Sequence, residues 1–417
     1  MQSFDDLYSK VKKATVRHEL DTVLKDPAQL GEFDKRQLEC LLYPEKLPPV
    51  INTGVCDCGE DGQGECEKVC IFEALTRGED GNITISEKNC TGCSACIEHC
   101  KKGNLTDRKD IVPVFEMLVQ RKTPVYAMIA PAFISQFTHE VTPGKLRTAF
   151  KKLGFEGMIE VALFADILTL KEALEFDHTI HNVQDYLLTS CCCPIWIAMI
   201  RKVYSQLVPH VPPSVSPMVA CGRSIKKLHP DAKTVFIGPC VAKKAEAKEK
   251  DIAGSVDYVL TFQEMQEIFE LTKIDPAKQP EDLRDHSSTA GRIYARTGGV
   301  SKAVKSTVER LHPGREIPLT ARQANGVPEC KKLLNEIMEG KLTANFLEGM
   351  GCVGGCVGGP KVLIDKQVGT EMVNEYGGEA ACETPVDNPY VIELLHKLGF
   401  DSIESLTEGE NMFTRKL

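Results

Sequence analysis

Apolar residues recur at roughly helical spacing near the start of the chain. Leu7, Val11, Val16, Leu20, Val23 and Leu24 fall where one face of one or two helices would bury them. Pro44, Pro48 and Pro49 stop the pattern. Residues 1–50 are therefore expected to form a helical N-terminal extension for packing or docking. Over residues 51–108 large apolar positions are too few to build a useful core, so bound groups would have to supply stability there. From 109 to 417 short apolar runs alternate with helical periodicity. Val125 to Ile129 reads as a strand leading into Ala130-Pro131, and 157–164 as another. Residues 234–237 lead into Gly238-Pro239-Cys240, and 258–261 precede a helical pattern over 262–271. That alternation predicts an α/β architecture. No internal repeat appears beyond two cysteine groups.

Charge and composition narrow the function. A net charge of −9 argues against nucleic acid or an anionic membrane as a main partner. No apolar run is long enough for a transmembrane helix. The first twenty residues are charged and amphipathic, unlike a secretory signal, so a cytoplasmic location is expected, with export as the passenger of a partner subunit left open. The 18 cysteines are clustered, and in a reducing compartment such groups bind metal more often than they form disulfides.

Cys90, Cys93, Cys96 and Cys100 have the spacing C-x2-C-x2-C-x3-C of bacterial ferredoxins, with Lys101 where proline is common. Zinc would usually want well-separated C-x2-C pairs. Cys56, Cys58, Cys66 and Cys70 keep the terminal C-x3-C but open with C-x-C, and Gly59, Gly62 and Gly64 could form the larger loop this needs. Residues 51–108 thus resemble a variant two-cluster ferredoxin, a small α+β domain. By the crossover rule, Cys56, Cys58, Cys66 and Cys100 would hold one [4Fe–4S] cluster, and Cys90, Cys93, Cys96 and Cys70 the other. His99 lies inside the run and reads as an exposed loop residue or a tuner of a cluster.

Three further motifs follow: Thr189-Ser190-Cys191-Cys192-Cys193-Pro194-Ile195-Trp196, Pro239-Cys240-Val241-Ala242-Lys243-Lys244-Ala245-Glu246, and Glu348-Gly349-Met350-Gly351-Cys352-Val353-Gly354-Gly355-Cys356. Prolines fix the backbone beside Cys193 and Cys240, and glycines flank Cys356, which suggests close approach to a bulky ligand. Four dispersed thiolates could hold one more cubane, the alternative being buried structural cysteines. Cys40, Cys221, Cys330 and Cys382 have no motif and read as structural.

In order and spacing the three motifs resemble the signatures of the iron-only ([FeFe]) hydrogenases, and the extra cysteine places the chain nearest a divergent T-S-C-C-C-P subgroup. The resemblance covers about residues 51–365. It implies a catalytic domain over 109–417, with two α/β lobes around an H-cluster: a [4Fe–4S] cubane joined to a two-iron unit with CO, cyanide and a bridging azadithiolate. It implies Cys193, Cys240, Cys352 and Cys356 as cubane ligands, with Cys356 bridging. Lys243 would bond a cyanide, a role suited to a cation in a dry pocket. Ala130, Pro131 and Ala132 would form a loop near the other cyanide, Tyr294 and Met350 would be pocket residues, and Thr297-Gly298-Gly299-Val300 also matches a family segment.

The resemblance further implies a proton path from Cys192 to Glu172 and Glu175, which stand at i and i+3 of one helix; a solvated helix face is the plainer reading of two glutamates. Leu168 and Lys171 depart from the family's helix pattern. Ser214 is a possible hydroxyl link, although the family's serine aligns nearer Pro212. Gly238 stands where methionine is common, Met218 where glutamine is common, and Pro360 where a third glycine is frequent. These changes are expected to loosen or reshape the pocket near the open iron, and the extra cysteine and the smaller Gly238 to let a thiol of the triplet move toward that iron and change inhibition by oxygen. The implied activity is interconversion of dihydrogen with protons and electrons. Implied partners are a ferredoxin or iron–sulfur electron-transfer subunits, in some cases within a larger hydrogen-dependent complex, and cofactor-maturation proteins. A hydrogen sensor and a non-catalytic iron–sulfur assembly protein remain the alternatives. No flavin or nicotinamide fingerprint is present.

Overall fold

The computed structural model describes residues 2–58, 64–189 and 191–417. The expected loop glycines Gly59 and Gly62, and Ser190 of the first large motif, lie outside the described residues. The N-terminal pattern forms the helices Phe4–Val16, Leu20–Lys25 and Lys35–Leu42. Ser3 and Asp6 cap the first reciprocally. Its apolar face does not await a partner. Leu7 and Val11 are fully buried in the same core as strand residues of the large α/β body, against the helices Ile111–Gln120 and Phe262–Thr272. The Tyr8 hydroxyl donates to Glu267 at 2.7 Å across that contact.

The cysteine-rich segment is built on two small antiparallel pairs. Strand β1 (Val50–Asn52) would be too short to stand alone. It pairs with β4 (Leu105–Asp107), while β2 (Leu75–Arg77) pairs with β3 (Ile83–Ile85). Val50, Ala74 and Leu105 pack with Cys66, Cys90 and Cys96 themselves. Cysteines are thus part of the core, as the scarcity of large apolar residues requires.

A buried charge network joins this segment to the large body. Asp107 pairs with Lys109 at 3.0 Å and Lys361 at 2.7 Å. Lys244, fully buried, donates to Glu264 at 2.8 Å and to the Arg108 carbonyl, and Arg108 pairs with Asp110 at 2.8 Å. Each charge finds a partner, which is the condition for burying it.

The remaining strands are β5 (Val125–Ile129), β6 (Gly157–Glu160), β7 (Leu187–Leu188), β8 (Lys233–Gly238), β9 (Tyr258–Thr261), β10 (Ala321–Asn325) and β11 (Phe346–Met350). They form two parallel sheets, ordered β6-β5-β8-β9 and β10-β11-β7. The fold is α/β with two lobes. Within the expected strand 157–164 only Gly157–Glu160 is extended. Ala162–Thr179 is a helix buried on nearly all sides, and an apolar run of that kind does not reveal by periodicity where strand becomes helix. The chain's last residues return to this helix's surroundings: the Val215 N–H donates to the Phe413 carbonyl at 3.0 Å and the Arg415 N–H to the Pro213 carbonyl at 2.9 Å.

Candidate functional site

Parallel strands place chemistry at their C-terminal ends. Here β5 ends beside Ala130-Pro131, β7 runs toward the cysteine triplet, β8 ends beside Pro239-Cys240 and β11 ends beside Gly351-Cys352. The four ends converge on one cavity. Cys192, Cys193, Cys240, Cys352 and Cys356 line it, with Lys243, Ala130, Pro131, Tyr294 and Met350. Ala132 is buried behind the wall, and Glu172 and Glu175 stand off it.

Close packing of the three motifs brings the thiols together. Trp196 is fully buried, and its indole N–H donates to the Thr189 carbonyl at 2.7 Å. Gly349 lies flat against that ring: a Cβ there would sit 2.2 Å from it. The Gly351 N–H donates to Cys193 Sγ at 3.3 Å. Glu348, the leading residue of the third motif, accepts the backbone N–H of Gly298 at 2.7 Å and of Ser301 at 2.8 Å. This explains the Thr297-Gly298-Gly299-Val300 segment: it presents a helix start to a buried carboxylate. The leading glutamate itself had no role assigned from sequence.

Cys352 is close enough to Cys240, Cys193 and Cys356 for their charges to act on one another. Burial pushes the Cys240 thiol up to about 11 and that of Cys356 up to about 12. Such thiols keep their protons unless a metal takes the proton's place. Among the described residues no three cysteine, histidine or acidic side chains close around a point as for a single ion. Thiols spread around a cavity suit a polynuclear group. Burial opposes the charge on Lys243, but the Glu246 carboxylate, at 2.6 Å, outweighs it and holds the ammonium charged. The cavity thus carries one cation facing several thiols, which fits an anionic iron–sulfur group.

Gly238 does not open onto free space. A Cβ there would meet the Phe236 ring at 2.7 Å, because Phe236, two residues earlier on the same face of β8, fills the space and lines the cavity. The sequence signal was available in that period of two.

Beyond the wall, Cys191 rather than Cys192 reaches the first glutamate. Cys191 Sγ donates to Glu172 Oε1 at 3.2 Å, and the Thr189 hydroxyl donates to Oε2. Burial lifts the Glu172 carboxyl to about 7, against the pull of these two donors. One turn on, Glu175 is paired with Lys171, and Ser214 connects the two: Lys171 donates to its hydroxyl at 2.9 Å, and the hydroxyl lies 3.4 Å from Glu175. Neither glutamate lies on a solvated face, and Ser214 does join the group. The Tyr294 hydroxyl is taken by Thr169 at 2.8 Å.

The smaller cysteine groups lie close together in the N-terminal segment. Cys70, Cys90, Cys93 and Cys96 line one cavity of about 290 Å³. Cys66 instead feels Cys100 and Cys58, and Arg77 feels Cys58 and Cys56. The first cavity abuts the large one. Cys93 acts on Cys352, and Gly92, at φ +71, presses on Val241: a Cβ would lie 2.9 Å from the Val241 carbonyl oxygen. His99 bonds the carbonyl of Ala95 in its own helix at 2.9 Å. Cys330, without a motif, is buried with its thiol 3.5 Å from the Met350 carbonyl.

A two-lobed α/β body with thiols gathered at its strand ends defines an iron–sulfur protein. Residues 123–360 match the family described as iron only hydrogenase large subunit, C-terminal domain, so the chain belongs to the iron-only hydrogenase family. It is 28% identical to iron hydrogenase 1 of Clostridium pasteurianum over 59% of its own length, and spans about half (50%) of that relative. It is 26% identical to the NADP-reducing hydrogenase subunit HndD of Solidesulfovibrio fructosivorans, covering 80% of this chain and 69% of that one. The cytosolic iron-sulfur assembly component 3 of Pongo abelii is 24% identical, covering 88% of this chain and 90% of that one. In fold, an apo [FeFe]-hydrogenase variant from Chlamydomonas reinhardtii superposes with a TM-score of 0.59 at 22% identity, over 70% of this chain and 97% of the other. Among the described residues no helix is long and apolar enough to cross a membrane.

Proposed function

We propose that the chain is a hydrogenase that interconverts dihydrogen with protons and electrons, and that it works in the cytoplasm. The observation that carries this reading is the meeting of Cys193, Cys240, Cys352 and Cys356 with Cys192 and Lys243 on one buried cavity. The first four would hold the cubane of an H-cluster. When bound, that group supplies the bond-breaking chemistry of dihydrogen and a store for its electrons. The chain's residues do the rest. Lys243 balances the anionic ligands, and Ala130, Pro131, Phe236, Tyr294 and Met350 exclude water.

Protons would pass at the cavity wall to Cys192, and then by way of Cys191 Sγ to Glu172 Oε1. A carboxyl lifted to about 7 gives and takes a proton with nearly equal ease at neutral pH. Glu175, with Lys171 and Ser214, would carry the path outward. Cys70, Cys90, Cys93 and Cys96 would hold one [4Fe–4S] cluster and Cys56, Cys58, Cys66 and Cys100 another, and these would supply one-electron redox chemistry. The partner for electrons would be a ferredoxin or an iron–sulfur subunit, and maturation proteins would deliver the two-iron unit.

A second reading, an iron–sulfur assembly protein, is favoured by the end-to-end similarity to the assembly component. One experiment separates the two. After supply of the two-iron unit, infrared spectra should gain CO and cyanide stretches and the protein should take up hydrogen with a viologen acceptor. If neither occurs while the cubanes are loaded, the assembly reading replaces the first.

A further inference from the structure

Ser94 follows Cys93 and precedes the single-turn helix Ala95–Glu98. A serine there has an ordinary task, to cap the helix, and this one makes no capping bond. Its backbone lies at φ 68 and ψ −2, a region that suits glycine better. The residue is 3% exposed, and its hydroxyl has no hydrogen-bond partner. A buried hydroxyl left unpaired is costly, so its neighbourhood should contain an acceptor. The same residue lines the cavity shared by Cys70, Cys90, Cys93 and Cys96. Thr91 is buried there too, its hydroxyl near the Cys93 sulfur without a well-formed bond to it. In the other cysteine group the nearby donor is already bonded: the Asn52 amide donates to the Ile83 carbonyl at 3.0 Å and to Cys56 Sγ at 3.6 Å.

We infer that Ser94 Oγ donates a hydrogen bond to the cluster held by Cys70, Cys90, Cys93 and Cys96, and that this bond raises the cluster's reduction potential. The inference rests on the reading that these thiols hold a [4Fe–4S] cluster. Taking up one electron makes the cluster and its thiolates more negative, so a donor aimed at their sulfurs stabilises the reduced form more than the oxidised one. The location makes the effect matter. This cavity abuts the large one through Cys93 and Gly92, so its cluster is the first stop for electrons leaving the catalytic centre. A higher potential there draws electrons outward.

The test uses the full chain produced without the two-iron unit, so that only cubanes are present, in a redox titration followed by electron paramagnetic resonance. Ser94→Gly removes the hydroxyl and suits the left-handed backbone, and Ser94→Ala removes it without freeing the chain. Both should move the midpoint of one cluster to a more negative value and leave the others in place. Ser94→Asn tolerates the same backbone and carries a donor, and should recover part of the shift. An unmoved midpoint in Ser94→Gly with every signal intact overturns the inference, as does an equal shift in all clusters. So does loss of the cluster in both Ser94→Gly and Ser94→Ala, because the hydroxyl would then hold the group rather than tune it. Cys70→Ala identifies the signal concerned. If it leaves all signals and the iron content intact, the cluster reading itself fails. If it removes one signal that Ser94→Gly does not move, only the donor assignment fails.

Discussion

Glu172 shows how a single side chain acquires a function from its surroundings. On a solvated face it would be an ordinary carboxylate. Buried with two donors, it titrates near neutrality. Its folded value lies above its unfolded one, so its contribution to stability is full below the ordinary carboxylate range and is lost as pH rises through about 7. Glu172→Gln keeps the shape and removes the titration. Its thermal midpoint should vary less than the parent's between about pH 5 and 8. Hydrogen turnover should fall by about 10²- to 10⁴-fold, as expected on losing a general acid–base group. Differential scanning calorimetry and a hydrogen electrode measure the two effects. An unchanged turnover would take Glu172 out of the proton path.

At the scale of elements, the motifs work as packed pairs. β11 lies against the helix Pro194–Val203 because Gly349 leaves room for the Trp196 ring. Gly349→Ala places a methyl group inside that ring's volume, and should cost about 1–3 kcal/mol in urea unfolding as well as lowering iron loading of the large cavity. The sequence disclosed such elements unevenly. β5, β8 and β9 were legible because buried parallel strands read as short apolar runs, those of β5 and β8 ending at glycine or proline. β10, with the sequence Ala-Arg-Gln-Ala-Asn, carries no such run, being an edge strand with one buried position, and β7 is two residues long. The cysteine motifs were plain, because their spacing is local. The partnership of Cys191 with Glu172 was not, because which thiol of a triplet faces the cavity depends on a turn that spacing leaves open.

The whole molecule joins two cysteine-lined regions through a buried charge network. That joint was invisible in the sequence: Asp107, Lys244, Glu264 and Lys361 are unremarkable charges until folding buries them together. At the joint, Gly92 presses on Val241. Gly92→Ala adds a methyl group where the backbone leaves none, at a φ that alanine also resists, so the loop must withdraw. Viologen reduction by hydrogen, which on the proposed route needs electrons to leave through that contact, should fall several-fold. Isotope exchange between deuterium gas and water, which needs no electron exit, should be nearly unchanged. An equal loss of both would mean that the contact shapes the cavity rather than the electron route.

The tail after residue 410 bears no metal ligand and lies far along the chain from every cysteine motif. Yet Phe413 and Arg415 clasp the backbone on either side of Ser214. A protease that clipped only those last residues would spare every cysteine while slackening the seat of the outermost hydroxyl in the proposed proton route, so a preparation with full metal content and sluggish gas evolution should first be checked for an intact C-terminus.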